Sequence, residues 1–224
     1  MKTTEQQTAR TLRAQGCSIK EIERSLGVAR SSVSRWVRDV ELGGNERAAL
    51  ATRVTEGRLR AAEQKAAAAR IVRAGYQEEG RRRARTPNNS YEAGCMLYWA
   101  EGEKGRWSVA VGNSDVELLR YFADFLRRHF GVCNEAMRLH CHLFADHAER
   151  QREIEEHWLT ELGLPDTCLK KTVLNVYSKY SEKKRANKLP YGTSKLRVHS
   201  TRIVQTIFGS IQEYGGFERP EWLG

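Results

Sequence analysis

Two short apolar patterns on either side of one glycine, within residues 17–40, constrain the fold of this chain more than any other segment. Apolar residues four apart share one face of a predicted helix, Ser18 to Leu26, and the same spacing returns in a second helix, about Arg30 to Val40. Gly27 stands where a helix commonly ends in a left-handed residue. Two helices this short around a glycine must cross steeply. The apolar positions are Ile22, Leu26, Val28, Val33 and Trp36.

The second predicted helix carries only arginine and serine on its outer face. An arginine can bind guanine through two hydrogen bonds, and a serine lets the helix backbone come close to the bases in the major groove. The alternative is a small helical hairpin with a solvated basic face, but the apolar positions and the glycine fall in register and favour DNA binding. The predicted DNA-contacting residues are Arg30, Ser31, Ser32, Ser34, Arg35 and Arg38.

Residues 6–40 resemble the helix-turn-helix of resolvase- and transposase-type DNA-binding domains, through the pattern GxSxxEIxxxLGVxxSSVSRWV that begins at Gly16. The resemblance implies a preceding helix, Glu5 to Gln15, that braces the pair. Ala29 departs from the usual Ser or Thr cap of the second helix, which loses roughly 1 kcal/mol of capping.

Charge is distributed unevenly along the chain, whose net charge is +10. Residues 1–86 hold 19 Lys and Arg against 10 Asp and Glu, whereas residues 87–224 hold 19 against 18. A basic N-terminal part is typical of a module that binds a polyanion. Too few large apolar residues lie in 45–86 for insertion into an acidic membrane.

The sequence shows no signal-peptide pattern and no apolar run of transmembrane length. Its five cysteines are odd in number, and none of them form a C-x-x-C pair. We therefore expect a cytoplasmic protein without structural disulfides and without a membrane partner.

The chain is expected to be α+β, with four parts. These are a helix-turn-helix domain (1–44), a long basic helical linker (45–89), an α+β domain (90–216) and a C-terminal tail (217–224). Arg81 to Arg85 contains four arginines, which fit a phosphate contact and a solvated helix C-terminus equally well. The third part is predicted to contain an antiparallel sheet covered by helices, with strands at Trp107–Val111, Met137–Phe144, Thr172–Tyr177 and Lys195–His199.

Three of these strands alternate between apolar and polar side chains, so one face of the sheet should meet the helices and the other should meet solvent. The polar face contains donors and no Asp or Glu, which favours contact with DNA over an ordinary wet face. His140 and His142 flank Cys141, but on a strand the cysteine points away from both, so a zinc site is disfavoured. The predicted DNA-contacting residues are Arg106, Arg138, His140, His142, Lys195, Arg197 and His199, with Ser108 beside them.

The nonapeptide Gly94-Cys-Met-Leu-Tyr-Trp-Ala-Glu-Gly102 resembles a diverged LAGLIDADG motif, and residues 90–214 resemble one domain of the LAGLIDADG homing-endonuclease fold. The resemblance implies that Glu101 takes the metal-binding place and that the sheet lies on DNA. One motif copy implies a homodimer through helix Tyr91–Glu101 if the protein cuts DNA. A basic loop within residues 170–188 adds Lys183, Lys184 and Arg185 as expected DNA contacts.

Together these patterns predict a sequence-specific double-stranded DNA-binding protein, a transcriptional regulator of prokaryotic or phage type that needs no cofactor. The alternative is a Mg²⁺-dependent DNA endonuclease or recombination protein with Glu101 as its catalytic carboxylate. Such hydrolysis usually gathers several carboxylates around the metal, whereas Glu101 has only Glu103 nearby. A third possibility is that the C-terminal domain serves association only.

Overall fold

The structure, a computed structural model, describes residues 3–175 and 189–224. The chain is α+β, as predicted, and it divides into two compact units, Met1–Ala68 and Ala69–Gly224. The boundary falls within the segment that the sequence analysis assigned to a linker. The described elements are α1 (Thr3–Ala14), α2 (Ile19–Leu26), α3 (Arg30–Trp36), α4 (Gly44–Ala84), α5 (Asn89–Glu101), β1 (Val109–Asn113), α6 (Val116–Phe130), β2 (Met137–Phe144), α7 (Gln151–Leu162), β3 (Val173–Asn175), β4 (Thr193–Val198) and α8 (Thr201–Gly215).

The first unit is built on three short helices, α1 to α3, around a small apolar core. Ser18 caps α2 in a capping box with Glu21, and Gly27 ends α2 in the left-handed region at φ 62°. Ala29 provides no side-chain cap to α3, as the sequence predicted. The buried core residues are Ala9, Ile22, Val33 and Val37.

Helix α3 ends at Trp36, so the prediction that it continues to Val40 is wrong. The guanidinium of Arg10 donates to the carbonyl oxygen of Trp36 at 2.8 Å and pairs with Asp39. The backbone N–H of Val40 donates to Val37 instead of to Trp36, and this tightens the chain into a turn. Arg38 therefore lies in the turn after α3 and not on the helix.

Helix α4 fills most of the predicted helical linker (45–89), and its last part packs on α8 within the second unit. Gly80 and Gly209 let the two backbones come very close. Gln77 accepts from Gln212 and donates to Gln205 across this contact, at 3.1 and 2.8 Å. Residues 69–84 are therefore part of the packed second unit.

The four strands form one sheet in the order β1-β4-β2-β3. β4 pairs antiparallel with β1 and with β2, as predicted, but β3 runs parallel to β2, so the expectation of an entirely antiparallel sheet is wrong. Helix α7 lies between β2 and β3 and returns the chain to the end where β2 began, and this gives a parallel pair. The sequence predicts that this strand ends at Tyr177, a residue that lies outside the described residues.

The predicted apolar face of the sheet is confirmed. Leu139, Val111 and Leu196 are fully buried under α5 to α8, and Trp222 of the C-terminal segment stacks on Phe208 with ring centroids 4.3 Å apart. The exception is Trp107, which precedes β1 and is 59% exposed. In the described part of the chain, no helix is long and apolar enough to cross a membrane.

Candidate nucleic-acid interface

The outer surface of α3 with its following turn presents six polar side chains, which we call the α3 surface. All of them are exposed except Ser32, which is half-buried. Arg30, Arg35 and Arg38 form no hydrogen bond or ion pair with any residue that the structure describes. The members of the α3 surface are Arg30, Ser31, Ser32, Ser34, Arg35 and Arg38.

Other arginines of the same unit are fixed by intramolecular bonds. Arg10 binds both carboxylate oxygens of Asp39 at 2.7 and 2.8 Å, which lowers the pKa of Asp39 to about 2. Arg13 donates to the carbonyl oxygen of Cys17, and Arg53 donates to that of Gly16. The unit thus separates arginines that hold the fold from arginines that face solvent.

The solvent side of the sheet brings together five of the predicted residues, which we call the sheet face. Arg138 lies opposite Arg197, and His140 lies opposite Lys195, in the antiparallel register of β2 and β4. Like charges directly opposite each other destabilise a sheet. The members of the sheet face are Arg138, His140, His142, Lys195 and Arg197.

The expectation that this face contains no carboxylate is wrong, because Glu103 lies against it. Its Oε1 is 2.5 Å from Nζ of Lys195, and its Oε2 is 2.7 Å from Nη2 of Arg197. Burial raises the pKa of Glu103, but these two cations outweigh that effect and hold it below its usual range. No periodicity of the sequence points to this contact, since Glu103 lies in the loop after α5 and docks beside the free edge of β1.

The surroundings of both histidines of the sheet face lower their pKa values. Burial lowers the pKa of His140, and the positive charges of Arg197, Lys195 and Lys170 lower it further. Burial likewise lowers the pKa of His142, with Lys195 adding to the effect. An anion on this face would oppose the repulsion and raise both pKa values.

A shallow cleft of about 380 Å³ opens on the same side of the sheet. Polar side chains line most of it, and Gly112 contributes no side chain. Gly112, Thr193 and Asn175 were not predicted, because none of them belongs to a charged pattern of the sequence. The cleft is lined by Gly112, His142, Asn175, Thr193, Ser194 and Lys195.

Three residues predicted for the polar face of the sheet lie outside its strands. Arg106 precedes β1, so its predicted place on the sheet is wrong; it donates to the carbonyl oxygen of Gly224 and lies over the ring of Trp107. Ser108 also precedes β1. His199 follows the end of β4 and is exposed. Lys183, Lys184 and Arg185 lie outside the described residues.

The arginine run at the C-terminal end of α4 is largely engaged within the protein. Arg81 pairs with Glu78 and Glu218, Arg83 with Glu79, and Arg85 with Glu213. Arg82 is exposed. Three of the four arginines thus have carboxylate partners, which supports a structural role for the run.

Glu101, the candidate metal ligand, is exposed at the end of α5. It accepts a hydrogen bond from Nδ2 of Asn113 at 3.3 Å. Among the described residues, no group of three or more His, Cys, Asp or Glu side chains is placed to hold a metal ion.

Helix α5, the predicted dimer contact, buries Tyr91, Gly94, Cys95 and Tyr98 within its own unit. Gly94 lies directly against the ring of Phe125, so its missing side chain serves packing within the protein.

Comparisons with protein-family models, with curated proteins and with solved structures find no match for this chain.

Proposed function

We propose that this protein is a sequence-specific double-stranded DNA-binding protein, and that it regulates transcription. The observation that carries the proposal is the α3 surface, where three arginines with no hydrogen-bond or ion-pair partner among the described residues stand beside serines on one short exposed helix and its turn. Arginine bound to guanine is the commonest specific contact in the major groove, and short side chains permit the close approach that it needs.

The free arginines support binding over a purely structural role. An arginine that breaks no internal bond on binding retains the full free energy of its contact with the partner. Arg10, in contrast, would first have to break its ion pair with Asp39. The helix-turn-helix arrangement that the sequence resembles would place α3 in the groove.

The sheet face supports a second contact with the DNA backbone. It places Arg138, Lys195 and Arg197 on two adjacent strands, and Glu103 pairs with two of these three cations. Cations arranged along a surface supply affinity for phosphates without reading sequence.

The first test is to incubate the protein with a random-sequence duplex library and Mg²⁺, and to score bound and cut DNA in the same reaction. We expect a consensus on intact DNA. Arg35→Ala should then weaken binding to the selected site by about 1–3 kcal/mol, or roughly 5- to 150-fold, and relax the preference at one position.

The control is Arg152→Ala, which removes the same charge from α7, where Arg152 pairs with Glu156. It should weaken binding to all sequences alike and only slightly. If Arg35→Ala and Arg152→Ala had equal effects on the selected site, the α3 surface would not read DNA.

The second candidate function is a Mg²⁺-dependent DNA endonuclease acting as a dimer. It is favoured by the exposed Glu101 carboxylate, with the Asn113 amide beside it. Mg²⁺ is often held by one or two carboxylates together with water and substrate phosphates, and the remaining ligands would come from those sources or from a second copy. Discrete cut ends that disappear with EDTA or with Glu101→Gln would establish this function in place of the first.

A further inference from the structure

The Glu103 carboxylate is bound by two cations of the sheet face. Its two oxygens bind two different cations, Lys195 and Arg197, which stand two residues apart on the same strand. The Lys195 and Arg197 side chains are only 28% and 27% exposed, so neither cation is a freely solvated surface group. Nε of Arg197 is buried and has no acceptor in the part of the chain that the structure describes.

The loop that carries Glu103 is firmly attached. The backbone N–H of Glu103 donates to the carbonyl oxygen of Ala110 at 2.8 Å, and its own carbonyl oxygen accepts the hydroxyl of Tyr98. Nζ of Lys104 donates to the carbonyl oxygen of Gly102 at 2.6 Å. These bonds fix the backbone at Glu103, and this fixed backbone places the Glu103 carboxylate beside Lys195 and Arg197.

A carboxylate and a phosphodiester offer the same chemistry to this site. Each presents two oxygens that share a negative charge, and the planar guanidinium matches both. The two ligands therefore compete for the same donors.

We propose that Lys195 and Arg197 form a binding site for a DNA backbone phosphate, and that Glu103 occupies this site as an internal competitor. Phosphate binds only when the Glu103 side chain turns away, so the contact forms when additional interactions elsewhere on the DNA favour it. This inference rests on the proposed function. It implies that Glu103 reduces the affinity of the sheet face for DNA in general. The face adds to binding only where other contacts already hold the DNA.

The test compares Glu103→Gln with Glu117→Gln, which removes the same charge from another ion-paired glutamate, on α6 beside Arg120. Affinity for a random 20-bp duplex is measured by fluorescence anisotropy over a series of salt concentrations. Freeing the site for one phosphate should steepen the slope of the logarithm of the binding constant against the logarithm of the salt concentration by about 0.9. It should tighten binding about eightfold at 0.1 M salt. Glu117→Gln should change affinity less than about twofold.

Two further variants distinguish release of the phosphate site from an indirect effect of unfolding. Glu103→Asp keeps the charge but shortens the side chain, so it should tighten binding by an intermediate amount. Adding Lys195→Gln to Glu103→Gln should remove the gain. Equal affinities for Glu103→Gln and Glu117→Gln would overturn the inference.

Pyrophosphate separates this inference from the proposed function. Its binding is followed through the NMR signals of the His140 and His142 rings, whose pKa values should rise when an anion arrives. We expect Glu103→Gln to bind pyrophosphate more tightly than the natural protein. If Glu103→Gln binds pyrophosphate more tightly but no variant binds DNA, the proposed function is refuted and the anion site stands. If the protein binds DNA but the two forms bind pyrophosphate equally, the proposed function stands and the anion site is refuted.

Discussion

The contact between α4 and α8 gives the sharpest prediction for stability. A Cβ atom at position 209 would overlap the carbonyl group of Gln77 and lie 2.6 Å from its Cα. Both partners are helix backbone, so Gly209→Ala can be accommodated only if the helices move apart by at least about an ångström. Overpacking of this kind costs about 1–3 kcal/mol.

Separation of the helices would also weaken buried hydrogen bonds. Gln77 bonds to Gln205 and to Gln212 across the contact, and each such bond contributes about 1 kcal/mol. Alanine favours a helix over glycine by about 1 kcal/mol, which offsets part of the loss. We expect Gly209→Ala to lower the free energy of unfolding of the second unit by about 2–4 kcal/mol.

The assay is urea-induced unfolding followed by tryptophan fluorescence, because four of the five tryptophans belong to residues 69–224. Gly75→Ala is the control: it makes the same substitution in α4, the partner helix of this contact, at a position where a Cβ would meet nothing within 4 Å. It should be neutral or stabilise the unit by up to about 1 kcal/mol. Equal unfolding midpoints for Gly209→Ala and Gly75→Ala would show that the two helices do not touch through their backbones.

Three other predictions concern caps and titratable groups. Ala29→Ser should supply the missing cap of α3 and raise the thermal stability of the first unit by about 1 kcal/mol, measured by circular dichroism; an unchanged melting curve would contradict the cap geometry. The pKa of Asp39 is depressed in the folded state to about 2, so its ion pair with Arg10 stabilises the unit above the ordinary carboxyl pKa and is lost as pH falls from about 4 to 2. Asp39→Asn should remove that component of acid unfolding. The pKa values of His140 and His142 are lowered in the free protein. A DNA phosphate on the sheet face should raise them, so the two histidines take up protons on binding and the affinity should rise from pH 8 to pH 6. A double Gln variant that kept this pH dependence would exclude the histidines.

Local features of the fold followed directly from the sequence. The capped helix Ile19–Leu26, the glycine turn after it and the strand Met137–Phe144 appear where the pattern predicted them. Helix bonds join residues four apart and strand faces alternate every second residue, so short windows carry this information. The six polar residues of the α3 surface were identified in the same way.

Contacts between distant segments were decided by the tertiary structure alone. The end of α3 depends on Arg10, 26 positions earlier than Trp36, and the charge of the sheet face depends on Glu103, which is 94 positions from Arg197. The parallel strand β3 likewise depends on how α7 returns the chain to the sheet. A residue's own neighbours along the chain set its helix or strand periodicity, but they do not fix which distant charge, carbonyl or backbone it will meet once the chain has folded.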